Sequence, residues 1–475
     1  EELARRYQLL PVKRTGDRLM IAMADPLDYF AIDDIRLSTG FEIEPAIAKK
    51  EELRLAINRY YGMQKSIDQM LKDINTNDDE EALIEAQQSD ESPVAKMINQ
   101  LISQAAQVGA SDIHIDPLET ETVIRFRVDG VLRPERTIPK NMHNVLVSRV
   151  KILSHLNIAE KRLPQDGRFK MDVDLRRIDL RVSCLPTIFG EKVVMRLLDT
   201  GNVLLGIDRL GFSERNEANF RKMLKQAYGI MLVTGPTGSG KSTTLYSALS
   251  NLNSDDVNII TVEDPVEYQL KGINQVQVNS NIGMTFAAGL RSILRQDPDI
   301  IMVGEVRDSE TAEIALRSAM TGHLVLTTLH TNDAVSAISR LIDMGVEPFL
   351  VSSSLSGVVA QRLVRRVCPS CAVPYELTDK ERELFTSRGI GTTKIVKGEG
   401  CATCNSTGYK GRMAIHETVM IDDYLREMIT KKSSDSEYRH YVEQKGFVAM
   451  FEDGLMKVAK GLTTLDEIYR VTVGE

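Results

Sequence analysis

Apolar residues recur at helical spacing in a segment near residue 100 and at alternate positions shortly after it. The helical segment contains Val94, Met97, Ile98, Leu101, Ile102 and Ala105. Residues three or four apart lie on one face of a helix, so this pattern predicts an amphipathic helix. Alternation in Val123–Val128 predicts a strand, and the following Asp129-Gly130 is typical of a hairpin turn. We therefore expect an α/β domain over residues 93–200.

The first part of the chain shows weaker patterns of both kinds. Leu19–Ala24 is strand-like, and Lys50–Tyr61 carries apolar residues at helical spacing. These segments predict a small α/β domain over residues 1–62. Residues 63–92 become acidic and polar, which favours a flexible linker. An exposed helical face over Glu80–Gln88 is the alternative for part of this linker.

Residues 201–366 alternate short apolar runs with helix-prone segments. Ile230–Val233 and Ile300–Val303 are two of the strand-like runs. Alternation of strands and helices predicts an α/β domain built on a largely parallel sheet. A cysteine-bearing insert at 367–410 and a helical segment at 411–475 are expected to follow it. The apolar runs are far shorter than the roughly 18 residues needed to cross a bilayer.

Composition limits the classes of protein to which the chain can belong. Its 475 residues are enough for several domains. The formal net charge of −8 argues against a broad nucleic-acid surface, which needs clustered Lys and Arg, so we expect no nucleic-acid partner. The opening segment Glu1–Arg6 lacks the basic start and long apolar core of a secretory signal. We therefore expect a cytoplasmic protein.

A glycine-rich segment lies between the apolar strand Ile230–Thr234 and the helix-prone Thr243–Leu249. It matches the phosphate-loop pattern, and the order of strand, loop and helix favours that function over a structural turn. Glycines let backbone amides approach the phosphates, and the helix N-terminus adds positive potential. The predicted nucleotide-binding residues are Gly235, Pro236, Thr237, Gly238, Ser239, Gly240, Lys241, Ser242 and Thr243.

Two side chains of this loop have predicted chemical roles. Lys241 is expected to reach the terminal phosphates, and Ser242 is expected to ligate Mg²⁺. The chain contains no Asn-Lys-x-Asp motif, which reads guanine. We therefore expect ATP as the nucleotide.

Hydrolysis also requires carboxylates that hold Mg²⁺ and orient the attacking water. The strand Ile300–Val303 ends in Gly304-Glu305, where Gly304 stands in place of the usual Walker-B aspartate. Glu305 must then serve the metal or the water alone. A second acidic box, Glu263–Glu267, follows another apolar strand and offers Glu263 to polarise water. The catalytic base is open between Glu263 and Glu305.

Basic side chains are candidates for contact with the transferring phosphoryl group. His323 and His330 stand at opposite ends of a strand-like segment, where a phosphate sensor and a structural residue are both compatible with the pattern. Arginine stabilises the charge of phosphoryl transfer, often from a neighbouring domain or subunit. The candidates are Arg181, Arg196, Arg291, Arg295 and Arg307, and a surface ion pair is the alternative for each.

Four of the five cysteines form two Cys-x-x-Cys pairs, Cys368/Cys371 and Cys401/Cys404. In a reducing compartment such pairs indicate a metal site more often than disulfides. Four thiolates favour a tetrahedral Zn²⁺. The fifth cysteine, Cys184, lies in an apolar stretch and is expected in a core.

The order of the motifs resembles the secretion or traffic ATPase family, and above all the cytoplasmic ATPases of type II secretion, called general secretory pathway protein E. The resemblance covers nearly the whole chain. Its motifs are Gly109–Ile115, the phosphate loop, Glu263–Glu267, Leu294–Asp299 leading to Gly304–Asp308, and Thr321–Asn332. The paired cysteines fit the same family.

This resemblance implies a RecA-like ATPase domain, a preceding PAS-like domain, and a homo-hexamer whose subunits share active sites. It implies that residues 1–62 dock on the cytoplasmic domain of an inner-membrane platform protein, with a polytopic inner-membrane secretion protein as a further partner. The chain would then lie at the cytoplasmic face of the bacterial inner membrane. Its expected function is an ATP-hydrolysing motor that powers pseudopilus assembly and protein export.

Three other functions remain open. ATPases that extend type IV pili share the cysteine insert, although the short N-terminal domain favours secretion. A zinc-containing nucleic-acid motor is a second alternative, because RecA-like folds also drive DNA and RNA. The acidic composition and the scarcity of aromatic residues for base stacking count against it. A scaffold that binds nucleotide without hydrolysis is disfavoured by the joint presence of Glu263 and Glu305.

Overall fold

The structure of the protein is a computed structural model that describes residues 2–50, 52–54, 56–57, 89, 92–173, 176–199 and 206–472. The chain divides into two compact units, Glu1–Gly201 and Asn202–Glu475. None of the helices in these described ranges combines the length and apolarity needed to traverse a lipid bilayer.

The N-terminal segment forms a three-stranded sheet with two helices. Its elements are α1 (Glu2–Tyr7), β1 (Leu9–Thr15), β2 (Arg18–Met23), α2 (Tyr29–Thr39) and β3 (Glu42–Ile47). Strand β2 pairs antiparallel with β1 and parallel with β3. Helix α2 begins where the Asp28 carboxylate accepts a hydrogen bond from Ala31 N, and it ends at the left-handed Gly40. The predicted helix Lys50–Tyr61 lies partly, and the linker 63–92 almost wholly, outside the described residues.

Residues 93–199 form a six-stranded antiparallel sheet covered by two helices. The elements are α3 (Pro93–Gln107), β4 (Ala110–Pro117), β5 (Glu121–Val128), β6 (Val131–Pro139), α4 (His143–Leu153), β7 (Gln165–Val173), β8 (Arg176–Thr187) and β9 (Gly190–Asp199). The strand order is β6-β5-β4-β9-β8-β7. Ser92 caps α3, whose apolar face packs into the core as predicted. Cys184 is fully buried in that core, which confirms its predicted place, and burial raises its pKa to about 11.

The second unit is built on a seven-stranded sheet in the order β12-β11-β13-β14-β10-β15-β18. Its first elements are α5 (Glu214–Leu224), β10 (Gly229–Thr234), α6 (Lys241–Leu252), β11 (Ile259–Glu263), β12 (Asn274–Gln277), α7 (Phe286–Ile293), β13 (Ile300–Val303), α8 (Ser309–Met320), β14 (Leu324–Leu329), α9 (Ser336–Asp343), α10 (Pro348–Ser354) and β15 (Leu355–Val367). Strands β10 to β15 pair in parallel, and apolar clusters line the sheet. The α/β class with a parallel sheet is therefore confirmed.

Two strands and a helix follow β15, and the chain then adds a further strand, β18, to this sheet before four helices in the described residues. These elements are β16 (Ala372–Glu376), α11 (Asp379–Thr386), β17 (Lys394–Gly398), β18 (Tyr409–Met420), α12 (Asp423–Thr430), α13 (Asp435–Gln444), α14 (Met450–Ala459) and α15 (Leu465–Thr472). Strand β18 pairs antiparallel with β15. The segment predicted as helical from residue 411 thus begins with an edge strand of the seven-stranded sheet. The apolar pattern of β18 is interrupted by three buried polar residues, His416, Glu417 and Thr418. Because of this interruption, the sequence pattern did not predict the strand.

Candidate functional site

The phosphate loop has the backbone shape that its glycines predict. It follows β10, and α6 begins directly after Gly240. Gly235 has φ +143° and Gly240 has φ +90°, conformations that side-chain-bearing residues rarely adopt. A Cβ on Gly235 would lie 2.3 Å from the carbonyl oxygen of Gln361, so the loop also lies too close to β15 for a side chain there.

Gln361 holds this loop from the neighbouring strand β15, and no sequence motif predicts that role. The side chain is buried, its Nε2 donates to the Ser239 carbonyl at 2.7 Å, and its Oε1 accepts from Thr244 Oγ1 at 2.6 Å. One side-chain amide on β15 therefore binds both the phosphate loop, at Ser239, and the first turn of α6, at Thr244. A glutamine within an apolar strand carries no motif signal, although a buried polar residue requires partners.

A cavity of about 170 Å³ adjoins the loop at the carboxyl ends of the parallel strands. Open α/β sheets bind ligands at this edge. The cavity brings together five predicted site residues: Lys241, Ser242, Glu263, Glu305 and His330. The predicted association of the phosphate loop with both acidic groups is thus present in the geometry.

The Lys241 ammonium folds back on its own loop. Its Nζ donates to the carbonyl oxygens of Gly235 at 2.7 Å and Pro236 at 3.0 Å. Burial lowers the pKa of Lys241, and the nearby Glu305 carboxylate opposes that shift. Both contacts involve backbone acceptors, so the ammonium can exchange them for phosphate oxygens without breaking a side-chain pair.

Glu263 is buried and held at both carboxylate oxygens. Oε1 accepts from Thr261 Oγ1 at 2.5 Å and from Gln275 Nε2 at 3.1 Å, and Oε2 accepts from the Tyr246 hydroxyl. These three contacts hold the carboxylate in one orientation. None of the three donor residues was predicted, because they lie on α6, β11 and β12 with no motif in common.

Glu305 occupies the cavity beside Gly304, where the usual aspartate is absent. A Cβ on Gly304 would lie 3.3 Å from the Glu263 Cα, so β11 leaves little room for a side chain. The Glu305 carboxylate forms an ion pair with Arg307 and lies 3.5 Å from His330 Nε2. Glu305 is therefore the acidic side chain that β13 supplies to the cavity, flanked by two basic groups.

The other basic candidates in this unit lie outside the cavity. His323 is at the opposite end of β14 from His330. At a rise of roughly 3.3 Å per residue, the two histidines are about 23 Å apart. Its Nδ1 contacts the Ser318 carbonyl at 2.9 Å, which is a structural role. Arg291 pairs with Glu310, and Arg295 donates to the Arg291 carbonyl at 2.8 Å. Among the predicted arginines of this unit, Arg307 alone contacts a cavity carboxylate in the described residues.

Arg181 and Arg196 belong to the first unit and lie opposite each other on β8 and β9. Arg196 Nε lies 3.0 Å from Asp112 Oδ1, and more than half of its side chain is exposed. Asp112 also pairs with Arg127 at 3.5 Å and belongs to the Gly109–Ile115 motif. In this unit the motif thus contributes an ion-pair cluster on the face of the sheet.

The four predicted metal ligands converge. Their sulfur atoms all lie within 4.8 Å of one another. The Sγ–Sγ distances are 3.9 Å for Cys368–Cys401, 3.8 Å for Cys371–Cys404 and 3.7 Å for Cys401–Cys404. Zn–S bonds of about 2.3 Å in a tetrahedron require sulfur separations of about 3.8 Å, so the four thiols fit Zn²⁺. The spacing is too long for a disulfide.

Backbone groups favour the thiolate form of Cys404, whereas burial raises the pKa of Cys371 to about 12. Burial opposes ionisation of Cys404, but the N–H groups of Cys401 and Gly408 donate to its Sγ at 3.2 Å and 3.3 Å and lower its pKa to about 6. A thiolate is the form that binds a metal. Four protein ligands leave no open coordination position, so the arrangement suits a structural metal site.

The chain resembles known proteins over nearly its full length. It is 46% identical over 479 residues to the type IV pilus assembly ATPase PilB of Myxococcus xanthus, covering 98% of this chain and 85% of that protein. It is 47% identical over 476 residues to type II secretion system protein E of Xanthomonas campestris pv. campestris, covering 98% and 83%. It is 49% identical over 415 residues to type II secretion system ATPase E of Vibrio cholerae, covering 85% and 82%.

Solved structures share the fold. The Legionella pneumophila ATPase DotB gives a TM-score of 0.59 at 23% identity, over 80% of this chain and 95% of that one. The pilus retraction motor PilT with bound ADP gives a TM-score of 0.53 at 26% identity, over 79% and 96%.

Two family models match the sequence. Residues 1–67 match the MshEN domain, and residues 87–470 match the model described as type II/IV secretion system protein. The second match covers far more than half of the chain. The predicted resemblance is therefore confirmed, and the chain belongs to the type II/IV secretion system protein family.

Proposed function

We propose that this protein is an ATP-hydrolysing motor of a type II secretion system, which powers pseudopilus assembly and protein export. The observation that carries the proposal is the single cavity that unites the phosphate loop with the carboxylates of Glu263 and Glu305. Family membership and relatives named as secretion ATPases support it.

The cavity residues divide the chemistry of hydrolysis among them. Loop amides and Lys241 would hold the phosphates, and Ser242 with Glu305 would hold Mg²⁺, which neutralises charge on the phosphate oxygens. Glu263 is fixed by three donors and is suited to accept a proton from the attacking water. His330 Nε2 lies 3.5 Å from the Glu305 carboxylate, and in this proposal it would contact the terminal phosphate. We thus assign Glu263 as the base and Glu305 as the metal residue.

The test of this function is turnover of Mg-ATP by the full chain. The wild type should release phosphate, and Lys241→Ala and Glu263→Gln should each lower that rate by at least about a hundredfold. Glu263→Gln should still bind nucleotide. Equal turnover by the wild type and Glu263→Gln would contradict the assignment of the base. DNA should leave the rate unchanged, whereas strong stimulation by DNA would favour a nucleic-acid motor.

Assembly of a type IV pilus is the second candidate function, because a relative named for that process matches 98% of this chain. We propose that residues 1–62 dock on the cytoplasmic domain of an inner-membrane secretion platform protein. A polytopic inner-membrane protein would be a further partner of the assembled homo-hexamer. Crosslinking the full chain in native membranes through residues 1–62 tests the proposal. Capture of a secretion platform is expected, and capture of a pilus platform would favour the second function.

A further inference from the structure

Tyr246 lies on the cavity face of α6, one helical turn beyond Ser242. Residues four apart share a helix face, and both side chains line the cavity. The helix that carries the phosphate-loop hydroxyl therefore also presents a phenol toward the acidic box. No part of the phosphate-loop pattern requires a tyrosine at this position.

The Tyr246 hydroxyl is a junction between three elements. It donates to Glu263 Oε2 on β11, accepts from Glu267 N at 3.2 Å, and is approached by Gln275 Nε2 on β12 at 3.4 Å. One oxygen thus joins the phosphate helix to both ends of the acidic box. Its removal would leave Glu263 Oε2 without the protein donor that it has here.

Burial makes this contact specific. Tyr246 is 1% exposed, and its ring packs edge-on against Tyr268 with centroids 4.5 Å apart. Burial and the Glu263 carboxylate both raise the pKa of Tyr246, so the phenol stays protonated and can donate. Since packing fixes the ring, the hydroxyl has little freedom to find another acceptor.

We propose that Tyr246 is a positioning residue for hydrolysis: it holds the Glu263 carboxylate at a fixed distance from the phosphate loop and so orients the base toward the attacking water. The proposal rests on the proposed function of Glu263. It assigns Tyr246 no contact with nucleotide. Loss of the hydroxyl should therefore lower kcat and leave nucleotide affinity intact.

The test compares Tyr246→Phe with Tyr268→Phe in the full chain. Each variant loses one phenolic oxygen, but only Tyr246 donates to Glu263 among the described contacts of the two. A hydrogen bond to a charged group has an effect of about tenfold to a hundredfold, so kcat of Tyr246→Phe should fall by that factor. Affinity for a fluorescent ATP analogue should stay within about twofold of wild type in both variants, and kcat of Tyr268→Phe should also stay within about twofold.

A double-mutant cycle separates positioning of Glu263 from a general structural effect. Tyr246→Phe should cause no further loss in single-turnover hydrolysis once Glu263→Gln is present, because both changes act through one group. Additive losses, or wild-type kcat in Tyr246→Phe, would overturn the proposal. If Tyr246→Phe does not fold, Gln275→Ala tests the same point, since it removes a donor to Glu263 Oε1. Wild-type turnover in Glu263→Gln would instead contradict the assignment of Glu263 as the base, and a wild-type chain without Mg-ATP turnover would defeat the proposed function itself.

Discussion

At the residue scale, Lys241 supplies a positive charge to the phosphate loop. Its ammonium contacts two backbone carbonyls and no side-chain partner in the described structure. Lys241→Ala should therefore lower ATP hydrolysis by at least about a hundredfold, because a charge facing the phosphates is lost. The free energy of unfolding should change by no more than about 1 kcal/mol. Phosphate release and urea unfolding check the two expectations, and near-normal turnover in a folded variant would contradict the loop's assignment.

Glu305 gives a prediction that separates binding from hydrolysis. Glu305→Gln keeps the shape of the side chain and removes the charge that pairs with Arg307. The variant should bind ATP and hydrolyse it at least about a hundredfold more slowly. Arg307→Gln is the matched control, since it breaks the same ion pair but leaves the carboxylate. Loss of nucleotide binding in Glu305→Gln, measured by titration, would mean that Glu305 is chiefly structural.

The site residues that the sequence revealed are those within contiguous motifs. Glu263, Glu305 and His330 each stand at the end of an apolar strand, and parallel strands bring those ends together. Lys241 begins the helix that follows the phosphate loop at the end of β10. Tyr246 was missed because its role depends on packing between α6 and β11. Such contacts join residues that are distant in sequence, so no local pattern records them.

At the element scale, hydrogen bonds between protein groups hold the point where the cysteine insert joins the rest of its unit. Val367 N donates to the Leu462 carbonyl at 3.0 Å, and Cys368 N donates to the Gly408 carbonyl at 2.9 Å. Thr463 Oγ1 donates to the Arg365 carbonyl at 2.7 Å. Loss of metal should therefore loosen the insert and leave the seven-stranded sheet of the second unit folded.

Metal analysis should find about one Zn²⁺ per chain. Replacing Cys401 and Cys404 with Ser should abolish that zinc and speed hydrogen exchange within residues 369–407. Nucleotide affinity should stay within about twofold, because the cysteines lie outside the cavity. Cys184→Ser is a control for loss of a thiol away from the cluster. Metal-free protein with freely titratable thiols under native conditions would contradict the site.

The C-terminal helix α15 gives a pH-dependent prediction. Its Glu467 is fully buried and forms ion pairs with Arg365 and Arg470. The Arg470 Nη2 atom lies 2.7 Å from Glu467 Oε2. Burial disfavours the carboxylate, but the two arginines outweigh it and lower the pKa of Glu467 to about 2. The unfolded value is about 4.3, so the stabilisation is present above that pH and is lost as pH falls toward 2.

Glu467→Gln should accordingly lower the free energy of unfolding by about 2 kcal/mol at pH 7. The difference between wild type and variant should shrink as pH falls from about 4.3 toward 2. Urea unfolding followed across that range measures both. Glu443→Gln is a control, because Glu443 lies on an exposed face of α13. A difference that is constant with pH would show that the Glu467 charge is not the cause.

Element boundaries were predictable where apolar periodicity is undisturbed. Helix α3 has a regular apolar face, and its predicted extent agrees with the structure. Strand β18 was missed because buried Glu417 interrupts its pattern: its oxygens accept from Ala334 N at 2.7 Å and Met450 N at 2.9 Å. A buried charge satisfied by distant backbone groups looks like a surface residue in sequence.

At the scale of the whole molecule, the two units contribute different candidate arginines. Arg196 belongs to the unit before Gly201, whereas Lys241 belongs to the unit after it. The prediction that Arg196 serves a phosphate is therefore tested through assembly of the protein. A hinge between the two units is expected from the sequence near Asp199–Gly206, and residues 200–205 of that segment lie outside the described residues.

The last prediction is that hydrolysis requires assembly. Specific ATPase activity of the wild type should rise with protein concentration over a dilution series, with oligomeric state measured in parallel by light scattering. Arg196→Ala should lower the activity of the oligomer by at least about tenfold, since arginine stabilises phosphoryl transfer from neighbouring subunits, and should spare nucleotide affinity of the monomer. A monomer as active per chain as the oligomer would exclude a shared site.

The ion pair of Arg196 with Asp112 provides the control for this prediction. Asp112→Asn breaks the pair and keeps the arginine, so its oligomer should hydrolyse ATP at close to the wild-type rate. If Asp112→Asn and Arg196→Ala lose activity equally, the pair stabilises the sheet of its own domain and Arg196 has no role at the phosphate. If only Arg196→Ala loses activity, the guanidinium acts away from Asp112. Mixing Arg196→Ala chains with Lys241→Ala chains then gives the strongest test. If the active site is shared, some sites of the mixed oligomer take Arg196 from one subunit and Lys241 from the other, and hydrolysis is regained. If each site takes both residues from one chain, the mixture stays inactive.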